Sequence, residues 1–391
     1  MTSIREVIRR RFSQATPLPA GIFQYQAPPD ADFPYRLHLR LESDGNGILI
    51  VNAATVLHLN QTAAEFAYHL VNQTDQETAI QRVSSRYKIS KDRARKDFED
   101  FQERIFTLVN LPDLDPNTYL DFGRETPYSK EISAPYRLDC ALTYQLPEGV
   151  DPAFAPSRRV ERELSTDEWK SILDKAWEAG IPHIVFTGGE PTLRADLPEL
   201  IAYAENIGQV TGLLSDGRNL VDIDYFHKLL QTGLDHLMIT FNPQDDLAWK
   251  AIETVLPEDI FTTVHLTITP ENSSTIFDLI DKLDDFGVTS LSLSNIGSNL
   301  DIIMEEARNH AAELDIPIEW DLPVPYSERN PVSLEIESTD EDLQLSGAGR
   351  AWLYIEPDGD VLREQGRVTV LGNAITGNWA DIWRKANQKN D

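Results

Sequence analysis

The chain has 391 residues, 41% of them hydrophobic, and carries 64 acidic against 35 basic side chains for a formal charge of −29. That length suits two or three domains, and the charge sets the chain against nucleic acid and anionic membranes as partners. No apolar run reaches the roughly 20 residues of a membrane helix and no signal-type apolar segment opens the chain, so a cytoplasmic protein is expected.

Arg5, Arg9, Arg10 and Arg11 crowd a helix-like opening, which reads as a solvated face or as a dock for an acidic partner. From Tyr35 the pattern alternates: Leu37 and Leu39, a Ser43-Asp44-Gly45-Asn46-Gly47 turn, Ile48 to Val51, then Thr55-Val56-Leu57-His58-Leu59, which predicts three short strands. Asn60 caps a helix carrying Phe66, Ala67, Leu70 and Val71, and Thr74 to Glu77 is a capping box for a second. Ser90 opens a third, with Ala94, Phe98, Phe101, Ile105 and Leu108 spaced along one side.

Three strands followed by three helices make a winged-helix-like α+β unit. With its Leu59-Asn60-Gln61-Thr62-Ala63-Ala64-Glu65-Phe66 helix opening, it resembles the PqqD-like peptide-recognition domains over roughly residues 30–110. The resemblance implies that the leader of a ribosomally made peptide adds as a strand along Thr55, Val56, Leu57, His58 and Leu59, and packs against Arg95 and Phe98 of the third helix. A winged helix that binds DNA or only stabilises the chain is the alternative. Asp92, Asp97, Glu99 and Asp100 interrupt the basic residues there and argue against a phosphate-tracking face.

After a proline-rich linker at 111–134, β-type runs alternate with helical patterns from about 136 to 321: Tyr136–Leu142, Ile184–Thr187, Val210–Ser215, Leu237–Thr240, Thr262–Ile268 and Ser290–Ser294. Six parallel strands with intervening helices predict a partial TIM-like (β/α)6 barrel, whose sites lie at the C-terminal strand ends. The segment from the lone Cys140 to Pro147 falls at the end of the first run, and the segment Thr187-Gly188-Gly189-Glu190-Pro191 at the end of the second.

Together these two segments resemble the radical S-adenosylmethionine (radical SAM) superfamily, of the PqqE-like, SPASM or twitch type. The family holds a [4Fe–4S] cluster on a CxxxCxxC loop. With Cys140 in first position, Tyr144 and Pro147 take the second and third, and neither is a soft sulfur ligand. The resemblance places the methionine moiety of SAM at Gly188, Gly189, Glu190 and Pro191, with Ser215 and Asn272 at later strand ends, while Phe241 and Pro243 depart from the family near the nucleoside. His183 and His236 read as packing residues, and whether Tyr144 and Phe241 fill the mouth is open.

The C-terminal segment predicts a hairpin, Trp352–Glu356 and Val361–Arg363 around a Pro357-Asp358-Gly359-Asp360 turn, and then a helix containing Trp379 and Trp383. It resembles an auxiliary-cluster module with Ser346 and Glu364 standing at cysteine positions. The expected organisation is therefore a peptide-recognition domain at 1–110, a linker at 111–134, a barrel at 135–325 and a small hairpin and helix module at 326–391.

The functional expectation is a pseudoenzyme: no catalytic residue, no metal and no cofactor, SAM admitted as a ligand and a [4Fe–4S] cluster not expected. It would serve as an adaptor or regulatory subunit for a precursor peptide or an active radical SAM partner protein, with no nucleic-acid or membrane partner. The alternatives are an enzyme that uses SAM or another small ligand on this fold, and an active radical SAM enzyme of atypical ligation.

Overall fold

Alternation of apolar and polar side chains builds the first sheet: β1 (Gly21–Gln26), β2 (Arg36–Leu41), β3 (Gly47–Val51) and β4 (Thr55–Leu59) pair antiparallel in chain order. The computed structural model describes residues 16–28, 35–53, 55–111, 132–158, 160–319, 322–324, 326–330 and 347–388. Arg5, Arg9, Arg10, Arg11 and Ser346 lie outside them.

Four strands replace the expected three. β1 is the addition, and its Phe23 and Tyr25 side chains pack on the same core as Leu37 and Leu39 of β2. Helices α1 (Gln61–Val71), α2 (Gln76–Tyr87) and α3 (Lys91–Asn110) cover the sheet. Each starts where its cap dictates, with Asn60, Asp75 and Ser90 accepting from the backbone N–H three residues on. Residues 1–126 and 127–391 form two compact units.

Among the described residues, the second unit is built on one sheet of nine strands. Its parallel part runs β5 (Arg137–Thr143), β6 (His183–Gly188), β7 (Val210–Ser215), β8 (His236–Phe241), β9 (Phe261–Ile268) and β10 (Leu291–Asn295). Between and after them come α4 (Thr166–Glu178), α5 (Leu197–Ile207), α6 (Ile223–Gln231), α7 (Asp246–Val255), α8 (Ile276–Asp285) and α9 (Asp301–Glu313). This is the (β/α)6 arrangement, and helix α4 shows why the pattern was readable. Ser165 and Glu168 complete its capping box, and Trp169, Ile172, Leu173 and Ala176 are its buried face.

The hairpin of β11 (Trp352–Ile355) and β12 (Asp360–Leu362), with β13 (Gly372–Asn373), extends this sheet, because β11 pairs parallel with β5. The last helix, α10 (Trp379–Ala386), packs on the same core through Ile382 and Trp383, and the Trp383 indole N–H donates to the Ile132 carbonyl.

Strand alternation separates two faces. Leu138, Cys140, Leu142, Ile184, Phe186, Leu213 and Leu237 lie in the helix-packed core. Val185, Leu214 and Met238, on the opposite face, pack together with Leu322. The Thr187 hydroxyl donates to the Pro323 carbonyl at 3.1 Å, so the segment after the barrel strands lies against the concave side of the sheet.

Candidate ligand site at the barrel mouth

The C-terminal ends of β6 to β9 surround a cavity of about 430 Å³, within the roughly 300–1,000 Å³ usual for small-ligand sites. Gly189, Asp216, Thr240, His265, Thr267 and Asn272 come from the strand ends, Leu146, Val150 and Phe154 from the loop after β5, and Arg329 and Asn330 from beyond the barrel.

The two glycines are required by a crossing of backbones. Gly189 N–H donates to the Thr143 carbonyl at 2.7 Å and Glu190 N–H to the Gln145 carbonyl at 2.8 Å, so the chain leaving β6 runs against the chain leaving β5. A Cβ on Gly188, whose φ is +137°, would lie 2.1 Å from the Thr143 oxygen, and one on Gly189 would lie 2.3 Å from the Gln145 oxygen.

Glu190 does not face the cavity. It is fully buried, and its carboxyl accepts from Thr192 N–H at 3.0 Å, from the Thr192 hydroxyl at 2.5 Å, from the Ser215 hydroxyl at 2.9 Å and from Asp216 N–H at 2.7 Å. Burial, with the charge of Asp216 added, pushes its pKa up to about 8 against the downward pull of those bonds. Glu190 and Ser215 thus clip β6 to β7, and of the glycine segment it is Gly189 that borders the cavity. Pro191 is buried at the start of a short 3-10 turn. Arg194, which no expectation singled out, locks that turn down by donating to the Leu142 and Leu164 carbonyls at 3.1 and 3.0 Å.

Asn272 reaches the cavity wall while folding its own turn: its side chain accepts from Thr269 N–H at 2.8 Å and donates to the Thr267 carbonyl at 2.9 Å. Below it, the imidazole of His265 bonds the hydroxyls of Ser292 and Ser294 at 3.0 Å each, and burial lowers its pKa to about 4, so it is neutral at pH 7. His183 and His236 meet at 2.7 Å and do not line the cavity.

The expected cluster register does not survive. Cys140 lies inside β5, fully buried in the helix-facing core, because the strand period turns it away from the mouth. Tyr144 is buried on the other side of the sheet, where its hydroxyl donates to Glu356 at 3.0 Å and lies 3.2 Å from the Tyr354 hydroxyl. Pro147 belongs to a turn closed by Val150 N–H. Glu364 is ion-paired with Arg367. Phe241 lines the cavity as part of its wall, with its ring edge-on against Trp249 at 4.7 Å, and Tyr144 does not reach it. A four-then-three spacing drawn through the loop that does line the cavity falls on Leu146, Val150 and Ala153.

In the N-terminal unit β4 is an edge strand. Arg95 is ion-paired with Glu77 at 2.6 Å. Phe98 requires correction: it is 1% exposed and packs on Phe66 at 5.3 Å, making it a core residue rather than a peptide contact.

Residues 134–296 match the radical SAM superfamily. Over those residues the barrel is similar to that superfamily. Among curated proteins, the PqqA peptide cyclase of Granulibacter bethesdensis is 25% identical over 295 residues, covering 65% of this chain and 75% of that protein. The PqqA peptide cyclase of Streptomyces rochei is 27% identical over 179 residues, covering 42% of this chain, so that the match spans about half, 49%, of that relative. Among solved structures, Streptococcus suis SuiB bound to SAM aligns with a TM-score of 0.60 at 16% identity over 89% of this chain and 86% of SuiB, and SuiB is also known bound to its precursor peptide SuiA. At that identity the likeness shows a shared fold.

These matches overturn the expectation of a barrel without cofactors. SAM and a [4Fe–4S] cluster are the cofactors that go with the radical SAM superfamily, and a matched structure holds SAM. The donors of this chain do not by themselves fit such a cluster, since its single thiol, Cys140, sits in the helix-facing core with its pKa raised by burial. Leu146 and Val150 at the mouth, and Ala153 next in the loop, offer iron no soft donor.

Proposed function

We propose that this protein works in the modification of ribosomally made peptides in the cytoplasm. In this reading the N-terminal unit binds a precursor peptide along β4, the barrel mouth holds SAM or a SAM-like small ligand, and the chain serves as adaptor or regulatory subunit to a catalytic radical SAM partner. The peptide part is supported by the edge position of β4 among the described strands, by relatives that bear the name PqqA peptide cyclase and by SuiB, which binds the precursor peptide SuiA. Backbone pairing along such an edge supplies affinity without demanding one sequence, and side-chain pockets supply selectivity.

One observation carries the adaptor assignment: the only thiol of the chain is turned into the core, and the loop at the mouth presents Leu146 and Val150 in its place. The test is to purify the protein anaerobically with and without a co-expressed radical SAM partner. Precursor peptide should bind to the chain alone, and 5′-deoxyadenosine should form only with the partner present. Stoichiometric 5′-deoxyadenosine from the chain alone would overturn the adaptor role and make it the enzyme itself.

A further inference from the structure

The charge of the chain is unevenly divided. Residues 1–126 hold 15 basic and 17 acidic side chains, which leaves 20 basic against 47 acidic in residues 127–391. Within the near-neutral N-terminal unit, residues 82–96 contain seven basic side chains and one acidic, Asp92. A cleft of about 700 Å³ opens on this stretch, lined by Thr16 and by Thr78, Gln81, Arg82, Ser85 and Arg86 of α2, none of them acidic. It shares no residue with β4, and Thr16 leads into β1, which the strand order places at the opposite edge of the sheet.

The two arginines of the cleft play different parts. Arg86 is fixed: its guanidinium lies 2.7 Å from the carboxylate of Glu65, itself 1% exposed, and donates to the Thr16 carbonyl at 2.9 Å. Burial pushes the Glu65 pKa up, but His69 and Arg86 beside it hold it below its ordinary value, so the carboxyl keeps its charge. A carboxylate is buried this deeply only when it is paired, and the pairing pins the guanidinium at the wall of the cleft. Arg82, one turn earlier, is exposed and has no counter-charge among the described residues. The acids nearest in sequence are engaged, Asp75 with the N–H and hydroxyl of Thr78 and Glu77 with Arg95 at 2.6 Å.

Four residues of helix separate the two arginines by about 6 Å along one face, and two carboxylates two residues apart on an extended chain are separated by about 6–7 Å. A polyphosphate fits less well, because a long nucleic acid would also meet the −29 charge of the whole chain, whereas a short acidic segment need touch only the cleft. We propose that this cleft docks an acidic segment of a partner protein, with its carboxylates on Arg82 and Arg86 and with Gln81 and Ser85 supplying neutral hydrogen bonds at the rim. That the partner is the catalytic radical SAM protein rests on the adaptor reading; the preference of the cleft for acid does not.

The test is fluorescence anisotropy on the full chain with a labelled octapeptide alternating glutamate and serine, its glutamine counterpart, and a short DNA duplex. The glutamate peptide should bind, more weakly as salt is raised toward about 0.15 M, and the other two should not. Arg82→Gln should weaken it roughly 2- to 5-fold, the range of an exposed ion pair, and Ser85→Glu, which puts a carboxylate into the cleft, should weaken it further. Lys96→Gln, which removes the same charge from an exposed position outside the cleft, should leave it within about 1.5-fold, as for an ordinary surface change. Arg86 is left intact, since its loss would strand Glu65. No binding of the glutamate peptide, equal binding of the glutamine peptide or the duplex, or equal losses for Arg82→Gln and Lys96→Gln would overturn the proposal. If the glutamate peptide binds as expected while a co-expressed radical SAM protein fails to co-purify, the adaptor reading falls and the acid-binding cleft stands.

Discussion

Replacing Glu190 with alanine should damage the fold before it damages ligand binding. The carboxyl takes four hydrogen bonds, two from the backbone N–H groups of Thr192 and Asp216 and two from the Thr192 and Ser215 hydroxyls, and it is wholly buried. In Glu190→Ala the hydroxyls can rotate to other acceptors, but the two amides cannot. The two stranded buried donors together cost about 2–6 kcal/mol, and the emptied volume adds to this, so the loss is at least about 3 kcal/mol. For a unit of this size that is a fall in the thermal midpoint of roughly 6 °C or more. Calorimetric melting of the purified variant reads it directly. A midpoint within about 2 °C of the parent, which corresponds to under about 1 kcal/mol, together with abolished binding of S-adenosylhomocysteine, would refute the reasoning and return Glu190 to the role of a ligand contact.

The same carboxyl sets a pH dependence. Its folded-state pKa is raised from 4.5 to about 8, so its contribution to stability is complete below the lower value and is lost as pH rises toward the upper one; Glu190→Gln, which cannot titrate, should flatten the fall in melting temperature over that window. Gly189→Ala, whose Cβ would sit 2.3 Å from the Gln145 carbonyl oxygen, should force the β5 and β6 loops apart and weaken binding of S-adenosylhomocysteine, as calorimetry would show. Phe98→Ala should cost the N-terminal unit about 3–5 kcal/mol in urea unfolding, because the ring is a buried core side chain; unchanged stability with weakened precursor-peptide binding would restore it as a peptide contact.

The fold was legible where local signals agree with burial. Ser165 to Glu168 announced α4, and the runs of the six parallel strands were found to within a residue or two, because each buried strand carries apolar residues at alternate or adjacent positions between helical patterns. β1 was missed although Phe23 and Tyr25 alternate with Gln24 and Gln26. Six residues next to Pro17, Pro19, Pro28 and Pro29 carry too little pattern to stand against the turn signals around them.

The site was legible only in part, and the reason is geometric. A cysteine at the head of a loop and a cysteine inside a strand look alike in a one-dimensional spacing, but the strand period decides which way the side chain goes: Leu138, Cys140 and Leu142 share the helix side. Anchoring the motif on the only available thiol therefore shifted it into β5, six residues ahead of Leu146, where the loop begins to border the cavity. The glycines were found because a backbone crossing leaves a mark that any reader of sequence can see, whereas Arg329 and Asn330 could not have been. They lie more than fifty residues beyond Asn272, the last barrel-mouth residue expected from sequence, and join the cavity because residues 322–324 and 326–330 return along the concave face, past Thr187 and Ala153, to Thr267. Strand ends announce themselves through the βα repeat, while a wall supplied by a returning segment depends on tertiary contacts that no local period encodes.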